Sequence, residues 1–185
     1  MLQKRCDFAM KDKIEKVLSD IDEITETYKN QKVTLVAVSK KKQVSEILKA
    51  TKFGIKNFGE NYLQESLPKI SALRDEEIIW HFIGKIQSNK CKDIAENFEW
   101  IHTLDRLKIA EKLNKYVPKG KKLNVLIQIN LDHDENKGGI YKEKLDDFYN
   151  ELRKLENLNF KGLMIMPSAK ACLLYTSPSP RDISR

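Results

Sequence analysis

The sequence is poor in the features that announce a metal site, a membrane span or an export signal. Its three cysteines, Cys6, Cys91 and Cys172, are odd in number and far apart, with no CxxC pair and no histidine at metal-ligand spacing. Free thiols are expected, and no metal site. The longest apolar runs, such as Val36–Val38 and Val125–Ile127, fall far short of the roughly 20 residues that cross a bilayer. No membrane association is expected. Met1–Met10 carries Lys4, Arg5 and Asp7 among few apolar residues and lacks the apolar centre and small-residue cleavage site of a secretory leader; the expected location is the cytoplasm. No GxGxxG follows a predicted strand and no P-loop glycine–lysine motif occurs, so dinucleotide and nucleoside-triphosphate readings lose their support. Helix-turn-helix, zinc-finger and RNA-binding aromatic motifs are missing as well.

What is present is a chain of 185 residues, 41% hydrophobic, which suffices for one domain with a proper core. The net charge of +7 could suit a nucleic acid. Lysines alternate with acids through Lys11–Glu26 and Lys142–Glu156, however, which is the pattern of solvated helix faces. No nucleic-acid partner is expected.

Apolar periodicity alternates between helix and strand. Ile14, Val17, Leu18, Ile21, Ile24 and Tyr28 share one face of an N-terminal helix. Val33–Val38 lacks strand alternation and reads as a parallel strand covered on both sides. A helical face at Val44, Ile47 and Leu48 follows, then a short strand at Ile55–Gly59, a helix over Tyr62–Leu73 containing Pro68, and a strand at Ile78–Gly84. Ser88 is the expected cap of the next helix, Trp100–Leu104 the next strand, and Asp105 the expected cap of a helix ended by Pro118 and Gly120. Leu123–Asn130, a helix marked by Leu145, Phe148, Tyr149, Leu152 and Leu155, and Phe160–Met166 complete the series. Six strands alternating with helices imply a parallel α/β sheet, either doubly wound or the front of a (β/α)8 barrel, with the barrel preferred.

In either architecture reactive side chains gather at the carboxyl ends of the strands. Lys40 ends the first strand, followed by Lys41 and Lys42. Partial desolvation and neighbouring positive charge favour a neutral, nucleophilic amine there, although three lysines in a row are by themselves as compatible with a solvated turn.

The stretches VTLVAVSK (33–40), NFGENYLQE (57–65), WHFIGKIQSNK (80–90), IHTLDR (101–106), NVLIQIN (124–130) and KGLMIMP (161–167) together resemble the successive strand ends of the pyridoxal phosphate homeostasis protein family, whose fold is similar to the barrel domain of alanine racemase. The resemblance runs in order over about residues 11–167. It implies an α/β fold, a (β/α)8 TIM barrel of alanine racemase N-terminal type truncated after about six strands. It also implies a pyridoxal 5'-phosphate-binding protein of intracellular cofactor homeostasis, with the cofactor held as a Schiff base on Lys40. By the same resemblance Asn61 in FGEN lines the pocket, and Asn130 and Met164 neighbour the cofactor ring. Asn130 is equally well explained as a loop hydrogen-bonder and Met164 as packing. His81, inside a strand between Trp80 and Phe82, reads as a satisfied core histidine.

Lys85 and Ile86 stand where the family has proline and leucine, and LDHDENKGG (131–139) spaces its acids differently while keeping Lys137 and Gly139. After Pro167 the resemblance ends. The remainder, ACLLYTSPSPRDISR (171–185), resembles translated adapter sequence; residues 168–185 are therefore expected to be a non-family tail and 1–167 an incomplete cofactor-binding barrel. The family's serine- and glycine-rich phosphate loops would follow here, so weak cofactor binding and low stability are expected of the chain.

The resemblance implies a carrier without catalysis of its own and without catalytic residues, a monomer that passes cofactor to pyridoxal phosphate-dependent apoenzymes. The alternative is an amino-acid racemase using the same lysine. Racemisation needs an acid and a base on opposite faces of the cofactor, and the second domain that supplies one of them in alanine racemase has no counterpart in this sequence.

Overall fold

The computed structural model describes residues 2–27 and 33–166, with side chains from Met10 onward. Tyr28, Cys172 and the tail 168–185 lie outside the described residues. The elements are α1 (Leu2–Thr27), β1 (Ala37–Val38), α2 (Val44–Lys52), β2 (Asn57–Glu60), α3 (Leu63–Ala72), β3 (Ile79–Phe82), α4 (Cys91–Asn97), β4 (Trp100–Leu104), α5 (Leu107–Tyr116), β5 (Leu123–Ile129), α6 (Leu145–Leu152) and β6 (Leu158–Ile165). The six strands form one parallel sheet in the order β1-β2-β3-β4-β5-β6. A doubly wound sheet would reverse direction at a switch point. Sequential order is that of a (β/α) barrel, and the barrel expectation holds, with six strands among the described residues.

The outer face of the sheet carries the core. Phe58, Trp80, Phe82, Ile101, Val125 and Ile127 point outward and meet Ile47, Leu63, Ile94, Ile109, Leu113 and Leu152 from the helices. Ile101, Val125 and Ile127 are wholly inaccessible, each contributing roughly 1.5–3 kcal/mol of apolar burial. Phe58 tilts against Trp80 with ring centroids 6.0 Å apart, and Phe82 meets Phe98 edge to face at 5.2 Å.

Two irregularities control which side chains face inward. β4 and β5 shift register between Ile101 and Leu104, and β5 and β6 between Val125 and Leu126. In the second, Phe160 pairs with Val125 but Gly162 pairs with Leu126; Lys161 is the extra residue of a bulge, and Gly162 takes φ +142°. Simple alternation from outward-facing Phe160 would turn Met164 outward. The bulge reverses the parity, so Met164 lies beside Gln128 on the inner face.

Three local expectations are corrected. Val33–Val38 is not a fully covered strand: only Ala37 and Val38 pair, and Val33 and Val38 are 46% and 52% exposed. β1 is an edge paired to β2 alone among the described residues, so one side of its backbone has no strand partner there. Ser88 does not cap α4; it opens a 3-10 turn, Ser88–Lys90, and its hydroxyl takes a hydrogen bond from Lys112 at 2.6 Å. Arg106, not Asp105, occupies the cap position of α5, because the Asp105 carboxylate is drawn to the Arg106 guanidinium at 2.9 Å.

Candidate functional site

The site is built at the carboxyl ends of the strands, beginning with Lys40. Ser39 extends the β1–β2 ladder through its N–H to Gly59 O at 3.0 Å, and Lys42 N–H then returns to Ser39 O at 3.0 Å. The chain therefore turns tightly through Lys40 and Lys41, and Lys41 takes φ +61°, the left-handed third position of a type II turn. Lys40 sits at the second position. It is exposed, and its ammonium has no hydrogen-bond or ion-pair partner among the described residues.

Beneath the turn lies a buried charged cluster. Lys69, in α3, donates from Nζ to Ser39 O at 2.8 Å, to Glu60 Oε1 at 2.8 Å and to Glu65 Oε1 at 2.7 Å. The Ser39 hydroxyl donates to Glu60 Oε1 at 2.6 Å, and the Lys41 N–H donates to Glu65 Oε1. The side chains of Lys69 and Glu60 are 7% and 0% exposed. Burial alone would lower the Lys69 ammonium, but its hydrogen bonds to Glu60 and Glu65 outweigh it and its pKa is raised. The Glu65 carboxyl is lowered, first by the hydrogen bond from Lys69 and also by the Lys41 N–H. Both ends of the cluster stay charged at neutral pH.

Asn61 follows β2 and lines a cavity of about 270 Å³ together with Ile83, Gly84, Lys85, Asp105 and Gln128. Its Oδ1 is buried and lacks a protein partner, leaving an acceptor open for a donor in that space. Gly84 makes the cavity wall possible, since its backbone presses directly on that of Asn61. Gly59 opens the neighbouring inner surface: a Cβ there would lie 3.0 Å from Ile83 Cδ1 and 3.3 Å from Val36 Cγ1.

The remaining expected residues divide. Asn130 is 5% exposed; its Nδ2 donates to Asp134 O at 2.8 Å and its Oδ1 accepts from Asp134 N–H at 3.1 Å, so its amide is committed to the loop after β5. Met164 lies inward beside Gln128, which itself lines the cavity and donates to Gly138 O at 3.0 Å. Of Lys40, Asn61, Asn130 and Met164, only Asn61 contributes to the cavity wall. A larger cleft of about 690 Å³ opens between α5 and α6 around Ile140, Tyr141 and Phe148, on the outer side, and takes in none of the four.

His81 is the core histidine its context suggests. Nδ1 lies 2.9 Å from His102 Nε2, and Nε2 lies 3.0 Å from Asn57 Oδ1. A neutral ring donating to Asn57 and accepting from His102 satisfies both nitrogens. Burial, and secondly the neighbouring His102, lowers its pKa to about 4. Among the described residues no three His, Cys, Asp or Glu side chains could jointly hold a metal ion, and no helix is long and apolar enough to cross a membrane.

Sequence reading missed Glu60, Glu65 and Lys69 as site residues. The available signal was the spacing of Glu65 and Lys69 four residues apart on one helix face, with both glutamates inside the NFGENYLQE block.

Comparison with known proteins places this geometry in context. The alanine racemase N-terminal domain family matches residues 13–176. A pyridoxal phosphate homeostasis protein of Buchnera aphidicola subsp. Acyrthosiphon pisum is 51% identical over 146 residues, 76% of this chain and 70% of that protein. The protein of the same name from Pseudomonas aeruginosa is 45% identical over 140 residues, 75% of this chain and 61% of its own length. That from Escherichia coli K12 is 43% identical over 145 residues, 76% and 62% respectively. The chain thus aligns with less than two thirds of the length of the latter two. Among solved structures, PipY of Synechococcus elongatus with pyridoxal phosphate bound superposes with TM-score 0.70 at 28% identity, over 84% of this chain and 75% of that one. Alanine racemase of Bacillus anthracis superposes with TM-score 0.59 at 15% identity over 84% of this chain and 40% of the enzyme, a likeness of fold.

Proposed function

Because this chain belongs to the alanine racemase N-terminal domain family, among the pyridoxal phosphate homeostasis proteins, we propose that it binds pyridoxal 5'-phosphate covalently through Lys40 and serves cofactor homeostasis in the cytoplasm. The observation that carries the reading is the contrast at Lys40: its flanking peptide groups are fixed by a buried network while its amine is left without a partner. The cofactor brings an aldehyde able to condense with a primary amine. Lys40 would hold the cofactor through its amine, and the aldehyde would supply the electrophilic carbon for that link.

The residues present fit such a group. Asn61 Oδ1 is a buried acceptor with no protein partner at the strand-end cavity, suited to a hydroxyl or a protonated ring nitrogen. Met164 offers a polarizable inner-face contact beside Gln128, and Asn130 shapes the neighbouring loop. Delivery to pyridoxal phosphate-dependent apoenzymes is the matching partner class, and a monomer the matching state.

A racemase would need a second acid–base group facing the bound substrate. His81 does not supply it, since both ring nitrogens are engaged with Asn57 and His102. The reading supported is a carrier without turnover. The test treats the protein and its Lys40→Ala variant with pyridoxal phosphate, reduces with borohydride and maps the adduct by mass spectrometry. The expected result is an adduct on Lys40 that the variant loses, with no release of an α-proton from labelled alanine. An adduct on Lys41, Lys42 or Lys137 with Lys40 unmodified would overturn the assignment, and α-proton exchange would replace the carrier with a racemase.

A further inference from the structure

We propose that Glu65 and Lys69 are positioning residues that set the reactivity of Lys40 by holding the two peptide groups on either side of it. The inference rests on the reading of Lys40 as the cofactor-bearing lysine and adds to it the device that orients the amine.

A buried ion pair is a poor source of net stability. Desolvation consumes most of the attraction, and an apolar pair of similar volume often does as well. Here the burden is larger still, because Glu60 Oε2 is buried without a hydrogen bond. What the cluster achieves is geometric. Lys69 Nζ holds the carbonyl of Ser39 at 2.8 Å, on the N-terminal side of Lys40. Glu65 Oε1 holds the N–H of Lys41, on the C-terminal side. The two are themselves joined at 2.7 Å across one turn of α3, so a single helix grips both peptide groups of the turn.

The turn needs such a grip. Lys41 occupies a left-handed conformation at φ +61°, which is strained for a residue with a side chain. A three-lysine turn at the exposed end of a two-residue strand would otherwise sample several shapes, each sending the Lys40 side chain in a different direction. Fixing the peptide groups leaves only the side-chain torsions free, which raises the fraction of amine orientations competent to attack an aldehyde in the strand-end mouth. Glu60 completes the arrangement by accepting from both Lys69 and the Ser39 hydroxyl.

Glu65 is the residue to test, because its side chain is 31% exposed and its loss leaves no cavity in the core. Glu65→Ala removes the acceptor for Lys41 N–H, whereas Glu65→Gln keeps a carbonyl oxygen in the same place. Three quantities are measured on the full 185-residue chain: amide hydrogen exchange at Lys41 without cofactor, the dissociation constant of the borohydride-trappable Lys40 adduct with pyridoxal phosphate, and the thermal unfolding midpoint. Glu65→Ala should exchange the Lys41 amide roughly tenfold faster and bind roughly tenfold more weakly, the scale of one lost hydrogen bond to a charged group. Glu65→Gln should restore both to within about threefold, with all three midpoints close together, since a neutral acceptor retains most of such a bond. Wild-type exchange and affinity in Glu65→Ala would overturn the proposal, as would a loss of affinity that Glu65→Gln does not restore. A parent chain with a protected Lys41 amide but no adduct on Lys40 would instead refute the cofactor reading and, with it, the role of the clamp.

Discussion

Gly84 presses so closely on Asn61 that a Cβ added to the glycine would lie 2.7 Å from the Asn61 carbonyl carbon and nearer still to its oxygen. The two residues end adjacent strands, and their backbone contact forms one wall of the strand-end cavity. Thr103 reinforces it from β4 by donating its hydroxyl to Gly84 O at 2.6 Å. The obstacle to any side chain at position 84 is therefore the Asn61 backbone, which cannot swing away as a flexible side chain could.

Gly84→Ala should accordingly destabilise the fold by about 3 kcal/mol, the upper range for overpacking a rigid site, and displace Asn61 from the cavity. Urea unfolding of the variant against the parent measures the loss. A change below about 0.5 kcal/mol, the level of a neutral surface substitution, would mean that the strand ends are looser than their contact implies.

In the turn after β1, Lys41→Gly should stabilise the protein by about 0.5–1 kcal/mol, because glycine relieves the left-handed strain and gives back only part of the gain as chain entropy. The substitution keeps the Lys41 N–H and hence its bond to Glu65. Chemical denaturation is the measurement, and a stability loss would show that the Lys41 side chain makes an energetic contribution of its own.

His81 predicts a pH dependence. Its ordinary pKa of 6.5 is lowered to about 4 in the fold, by burial first and His102 second. The unfolded chain thus takes up a proton that the folded chain refuses. Stability from this group is fully present above about pH 6.5 and is lost as pH falls toward about 4, by on the order of 3 kcal/mol. His102, also lowered by burial, acts in the same direction. The carboxyls of Glu46, Glu65 and Glu77 are lowered and titrate below their ordinary value of 4.5, whereas burial raises that of Glu99 above it, so between about pH 4.5 and 6.5 the histidines act against Glu99, whose contribution is the same in parent and variant. His81→Gln keeps hydrogen-bonding capacity without titrating, and the slope of unfolding free energy against pH in that interval should flatten. An unchanged slope would show that His81 is protonated in the folded protein.

The candidate residues could be placed in the fold from sequence because they are tied to strand ends, and strand ends can be read from apolar runs. Lys40, Asn61 and Asn130 each follow a run that becomes a paired strand. The Asn130 amide also bonds Asp134 in its loop, a contact that depends on where Asp134 comes to lie, and local sequence does not contain that distance. Ser88 and Asp105 were good cap residues by type. They were diverted by Lys112 and Arg106, because charged partners compete with backbone N–H groups for a side-chain oxygen.

Local pattern alone was enough for the alternation of six strands and helices and for a lysine following the first strand. These follow from local periodicity and from residue type, which each short segment carries without its neighbours. The strand order that separates a barrel from a doubly wound sheet came from packing across the whole fold, since parallel crossovers look the same in either. The bulge at Lys161–Gly162 that turns Met164 inward was set by pairing with β5. The cluster of Ser39, Glu60, Glu65 and Lys69 required α3 to pack beside the end of β1, bringing Lys69 within 2.8 Å of a carbonyl thirty residues earlier in the chain; a buried charge finds its partners through the fold, and no local pattern encodes a contact at that separation.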